Sequence, residues 1–156
     1  MKKLLLVYSL LFCGFTFSQS VPYGVNKKKF PLTDEFQKLM PQSLGDWKRY
    51  SFHDYLPGLE TGHVFYKKSN NQIYVTFGKA ISQNDMKIIW TKLYDDETLG
   101  KENQVKQKNN TSTTTKYLLM QSSTSYYFAW THNLYFFSIK TKNKIDADEF
   151  MKLFPY

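Results

Sequence analysis

Residues 126–139 constrain this chain more than any other stretch. Read as two strands about a His132-Asn133 turn, they pair Trp130 with Tyr135, Phe128 with Phe137 and Tyr126 with Ile139. All six large apolar side chains then share one face. The other face carries Ala129 with Phe136, Tyr127 with Ser138 and Thr131 with Leu134. Strand side chains alternate with a period of two, so a slip of one residue would turn the whole apolar set toward water. A chain with this hairpin needs an antiparallel sheet and an apolar layer to lay against it.

A second stretch follows the same rule. In HVFYKKSNNQIYVTF, residues 63–77, an Asn70-Asn71 turn suits residues that tolerate positive φ. Val64 then faces Phe77, Tyr66 faces Val75 and Lys68 faces Ile73. The opposite face holds Phe65 with Thr76, Lys67 with Tyr74 and Ser69 with Gln72. A strand from Trp47 to about Phe52 precedes this hairpin, entered through a Leu44-Gly45-Asp46 turn. Residues 53–62 read as a loop because Pro57-Gly58 and Gly62 punctuate them. A weak strand near 104–108 and another at 116–122 flank the polar run NNTSTTT at 109–115.

The period changes at 84–96. Met86, Ile89, Trp90 and Leu93 fall at i, i+3, i+4 and i+7, the spacing of an amphipathic helix, with Asp85 at its positive end. Asp95-Asp96-Glu97 opposes the dipole at the other end, which predicts fraying there and a stop at Gly100. Shorter helices are expected at 34–40, closed by Pro41, and at 146–154, burying Ala147, Phe150, Met151 and Phe154. The pattern predicts an extended segment at 21–33 and a single α+β domain over 34–156. That domain has an antiparallel β-sheet of about six strands with helices packed largely on one face.

Residues 1–20, MKKLLLVYSLLFCGFTFSQS, carry a different signal. Two lysines precede an apolar run of 14 residues, about 21 Å as a helix and short of the ~30 Å a membrane span needs. Thr16-Phe17-Ser18 and Ser18-Gln19-Ser20 supply small-x-small cleavage patterns, so the segment reads as a cleaved secretory signal peptide. The chain is thus expected outside the cytoplasm, periplasmic or secreted. Cys13 follows Phe12 rather than the small residue a lipoprotein signal requires. Its removal leaves no cysteine and excludes thiol catalysis in the mature chain.

Charge narrows the partners. The 21 basic residues become 19 once Lys2 and Lys3 are removed, against 13 acidic, a net of about +6. Arg49 alone among them is arginine. Arginine supplies the planar fork that reads guanine and grips phosphate, whereas lysine is a hydrated point charge. A lysine surplus suits loose attraction to anionic lipid or polysaccharide, and no specific nucleic acid is expected as a partner.

The candidate chemistry is thin. His53, Asp54, Glu60 and His63 could together bind zinc or run acid–base chemistry, but nine residues separate the two histidines, a spacing unlike common ligand sets. Asp54 with Glu60 could form a glycosidase pair only if the fold fixed their separation. Asp95-Asp96-Glu97 lacks the alternation and central glycine of a calcium loop. His132 falls at a hairpin tip, and no P-loop, G-x-S-x-G or G-x-G-x-x-G motif occurs. No catalytic residue, metal ligand or cofactor is therefore assigned.

What remains is a small exported, non-enzymatic domain binding a protein or cell-envelope component, with no transmembrane span after signal cleavage. The alternative is a metal- or carboxylate-dependent hydrolase using the His53–His63 loop. If the helices cover the sheet face bearing Val64, Tyr66, Trp130 and Phe137, the reverse face displays Phe65, Lys67, Tyr74, Tyr127 and Phe136. Aromatic residues with a polar rim on an open sheet make an expected binding surface. A covering element would instead turn them into a second small core.

Overall fold

In the computed structural model the described residues are 22–24, 39–55, 61–98, 105–110 and 116–156, with 54–55, 93–98 and 105–110 described for backbone only. The signal peptide expected at 1–20 lies outside them, as do most of the 21–33 segment, the start of the 34–40 helix, Glu60 and Gly100. No helix among the described residues is long and apolar enough to cross a membrane.

The α+β architecture rests on one antiparallel sheet. Its strands are β1 (Ser43–Leu44), β2 (Trp47–Tyr55), β3 (Thr61–Lys68), β4 (Asn71–Lys79), β5 (Val105–Asn110), β6 (Lys116–Gln121), β7 (Tyr126–His132) and β8 (Tyr135–Thr141). Spatial order is β1-β2-β3-β4-β8-β7-β6-β5. Two four-stranded meanders thus meet at β4 and β8. Helix α1 (Gln83–Thr98) joins one meander to the other, and α2 (Lys144–Leu153) follows β8. Eight strands stand where about six were expected; the two-residue β1 and the polar β5 form the edges.

Both hairpins keep the expected faces and move the expected partners by two. The first turn is Ser69-Asn70, with Ser69 at φ 52°, so Val64 pairs with Val75 and Phe65 with Tyr74. The second is Asn133-Leu134, with Asn133 at φ 53°, so Trp130 pairs with Phe137 and Phe128 with Ile139. Moving a two-residue turn by one place shifts every partner by one full side-chain period. Facing survives such a shift.

One face carries the main core. Val64, Tyr66, Val75, Phe77, Phe128, Trp130 and Phe137 cluster with Ala147, Phe150 and Met151 of α2 and with Phe154, its C-cap. Trp47 and Tyr66 meet Phe150 edge-on at 5.9 and 5.0 Å. Helix α2 begins at Asn143, whose side chain accepts the Asp146 N–H at 2.9 Å. The buried Asp146 carboxylate accepts from Asn71 and Asn143 in turn. Tyr23 docks residues 22–24 on this side, donating to Asp148 at 2.7 Å and lying 2.5 Å from the Tyr126 hydroxyl. Burial and these two bonds raise the Tyr23 pKa far above the ordinary phenol value.

The helices divide between the two faces instead of sharing one. On the reverse face Trp90 of α1 packs with Leu118, Met120, Tyr127 and Ala129, and Met86 with Ala80 and Phe136. The cause lies in the strands. β7 is buried at six consecutive positions, Tyr126 to Thr131, and a strand closed on both sides needs cover on both. β3 instead alternates buried Val64 and Tyr66 with half-open His63 and Phe65. Its reverse face can meet water.

Candidate functional site

Helix α1 covers the reverse face over β6, β7 and part of β8. Over β2, β3 and the Gln72–Thr76 part of β4 the described reverse-face positions are exposed or half-buried, and a row of rings occupies them. A bulge between Arg49 and Ser51 brings Tyr50, 52 % exposed, to within 5.8 Å of the Phe65 ring centroid. Phe65 lies 4.7 Å from Tyr74, its cross-strand partner on β4. Tyr74 stacks on His63 at 4.9 Å and 21°, and its hydroxyl is hydrogen-bonded to His63 Nδ1. Thr76 Oγ1 is 3.1 Å from the same nitrogen. The rings are thereby fixed to each other on three paired strands, a rigid support for a contact surface.

At the described strand positions of this face the charged residues are lysines. Lys48 pairs with Lys67 in register, Lys67 with Gln72, and Tyr74 with Lys140 of β8. No acidic residue holds a reverse-face register position in β2, β3, β4 or β8. At the Tyr74 end the face dips into a cleft of about 250 Å³. Phe65 and Tyr74 form one wall, and Gln72, Thr124, Ser125, Lys140 and Lys142 contribute polar groups. The β6–β7 turn that supplies Thr124 and Ser125 is cross-braced. Ser122 Oγ accepts from the Thr124 and Ser125 N–H groups at 3.3 and 3.1 Å, and Ser122 N–H donates to the Ser125 carbonyl at 2.9 Å.

The five expected binding residues separate. Phe65, Lys67 and Tyr74 lie together on the open half. Tyr127 and Phe136, only 5 and 3 % exposed, are buried beneath α1 against Trp90 and Met86. These two belong to a second core, because the uninterrupted burial of β7 draws the helix over them. Tyr50, Gln72, Thr124, Ser125, Lys140 and Lys142 were missed in the sequence. A bulge left no mark there, and the Phe65–Tyr74 contact depends on the two-residue shift of register.

The histidines also move. Residues 53–55 and 61–62 are strand rather than loop, and His53 sits directly opposite His63. Burial lowers the His63 pKa, with the neighbouring His53 a second cause. Ser51 Oγ lies 2.5 Å from His53 Nε2, but the pair is exposed and no described carboxylate orients it, so it lacks the setting of an activated nucleophile. Among the described residues no three His, Cys, Asp or Glu side chains gather as a metal set. His132 ends β7 opposite Tyr135, its pKa lowered by burial. Arg49 serves the framework: its Nη1 donates to the Met40 carbonyl at 2.8 Å, and its guanidinium lies 5.4 Å over Phe52.

No family model matches this chain. No curated protein matches it either. Among solved structures the chain is similar to a GTP binding regulator from Thermotoga maritima, with a TM-score of 0.54 and 14 % identity. The likeness covers 81 % of this chain and 87 % of that one. At this identity it shows a common fold and nothing further.

Proposed function

We propose that this chain is a small exported, non-enzymatic domain that binds a protein or cell-envelope component through the open half of its reverse sheet face. One observation carries the reading: α1 packs on β6, β7 and part of β8, while among the described residues Tyr50 is exposed and Phe65 and Tyr74 are half-buried beside Lys48 and Lys67. Exposed and half-exposed rings beside polar groups offer apolar area at low entropic cost, as contact surfaces do. Export rests on the leader at 1–20, and N-terminal sequencing of exported protein should find a start near Gln19 or Val21. Binding is tested by capture from envelope extract with wild-type and Tyr50→Ala protein. Tyr50 is half exposed and outside the cleft, so its loss should abolish capture while the fold stays intact. Equal capture by both would overturn the reading.

A second reading draws on the His53–His63 register pair, which could hold a metal for hydrolysis. Stoichiometric metal in purified protein, lost in His63→Ala, would support it. Metal-free protein with an undiminished binding function would discard it.

A further inference from the structure

We infer that the cleft beside Tyr74 takes a carboxylate-bearing sugar unit, such as a uronate within an acidic polysaccharide. This rests on the binding reading above and names its ligand. Three features converge. First, the wall formed by Phe65 and Tyr74, 4.7 Å apart and tilted by 44°, offers apolar ring surface of the kind that stacks on the C–H face of a sugar. Second, the remaining lining is dense in hydrogen-bonding groups. The Gln72 amide and the Thr124 hydroxyl can meet sugar hydroxyls, and the Ser122 bonds, one of them to the Ser125 hydroxyl at 3.0 Å, hold the turn in place before a ligand arrives. Preorganisation of that kind lowers the cost of ordering the site.

Third, charge selects the anion. Lys140 and Lys142 line the cleft, Lys67 pairs with the Gln72 beside it, and the surrounding register positions carry no acidic residue. A lysine ammonium beside a carboxylate forms a charge-assisted bond, stronger than the same bond to a neutral hydroxyl. About 250 Å³ is room for a single compact unit such as one sugar ring. The row from Tyr74 through Phe65 to Tyr50 would then support neighbouring units of the same polymer.

The probes are trigalacturonate, its fully methyl-esterified form and hexaglutamate, titrated calorimetrically into the mature chain. Trigalacturonate should bind, and the ester should bind at least about tenfold more weakly, as loss of a charge-assisted bond predicts. Lys142→Gln should weaken trigalacturonate by about tenfold and leave the ester unchanged. Gln72→Ala should weaken both. Lys142 and Gln72 are exposed, so an unaltered thermal midpoint certifies the fold of each variant. Equal binding of acid and ester would overturn the inference, and so would hexaglutamate binding as tightly as the trimer, which would make the occupant an acidic peptide. Failure of all three probes would overturn it too. The broader reading would then stand or fall separately on Tyr50→Ala, because Tyr50 does not line the cleft.

Discussion

Truncating the reverse face at two points should give two very different stability losses. Phe136 is 3 % exposed and packs against Ala80, Met86 and Ile89, whereas Tyr50 is 52 % exposed and leans mainly on Phe65. A buried phenylalanine removes about 200 Å² from water, about 5 kcal/mol at 25 cal/mol per Å². Denatured chains already hide part of that area, which brings Phe136→Ala to about 3–4 kcal/mol. Tyr50→Ala loses a one-sided ring contact and should cost about 1 kcal/mol or less. Urea unfolding followed by tryptophan fluorescence resolves the difference. With a slope near 2 kcal/mol per M, Phe136→Ala should lower the midpoint by about 1.5–2 M and Tyr50→Ala by at most about 0.5 M. Similar losses at both positions would refute the division of this face into a covered and an open half.

Other variants probe the framework around the site. A Cβ added at Gly62 would sit 2.4 Å from Cζ of the fully buried Phe77 and 3.1 Å from the His53 carbonyl, so Gly62→Ala should cost about 1–3 kcal/mol by overpacking; a neutral result in urea would contradict that packing. Asn143→Ala removes the α2 cap and one donor to the buried Asp146, and should cost about 1–2 kcal/mol in the same assay. Burial keeps the His63 pKa below its ordinary value, so the unfolded chain takes up a proton near pH 6.5 that the folded chain resists. Stability from this group is therefore full above about pH 6.5 and declines as pH falls below it. His63→Gln should flatten that slope without abolishing it, since burial depresses His132 in the same direction; an unchanged slope in urea midpoints between about pH 7 and 5 would refute the assignment.

The alternation of side chains made the faces legible. Val64, Tyr66, Phe128 and Trp130 stand on the main-core face that their parity predicts, and Phe65, Tyr74, Tyr127 and Phe136 on the reverse. Parity was less informative about partners, because turns at Asn70-Asn71 or Ser69-Asn70 satisfy the same pattern and only the left-handed residue distinguishes them. It was silent about Tyr50, since a bulge breaks the period without a sequence signal. The cover on each face was partly legible. Unbroken apolar character through Tyr126–Trp130 marks a strand closed on both sides, and that should have sent one helix to each face. The His53–His63 pair was hidden because Pro57-Gly58 and Gly62 made residues 53–62 read as loop, whereas 53–55 and 61–62 are strand.

The division of the reverse face bears directly on what its open half is for. Tyr127 and Phe136 contribute to folding, because α1 needs an apolar seat and its contacts with the sheet run through those residues. Tyr50, Phe65 and Tyr74 belong to neither of the clusters that seat α1. Their rings touch one another and His63, while the larger cluster of Val64, Tyr66 and Val75 lies on the other side of the same strands. Residues serving stability alone at these positions could be threonine or lysine at little cost, since half-exposed strand sites gain under about 1 kcal/mol from aromatic pairing. A half-open aromatic row also invites edge-to-edge and face-to-face association, which Lys48 and Lys67 beside it oppose by repulsion between copies. Half-open rings with lysines beside them form a surface whose charge disfavours its own kind and favours an anionic partner.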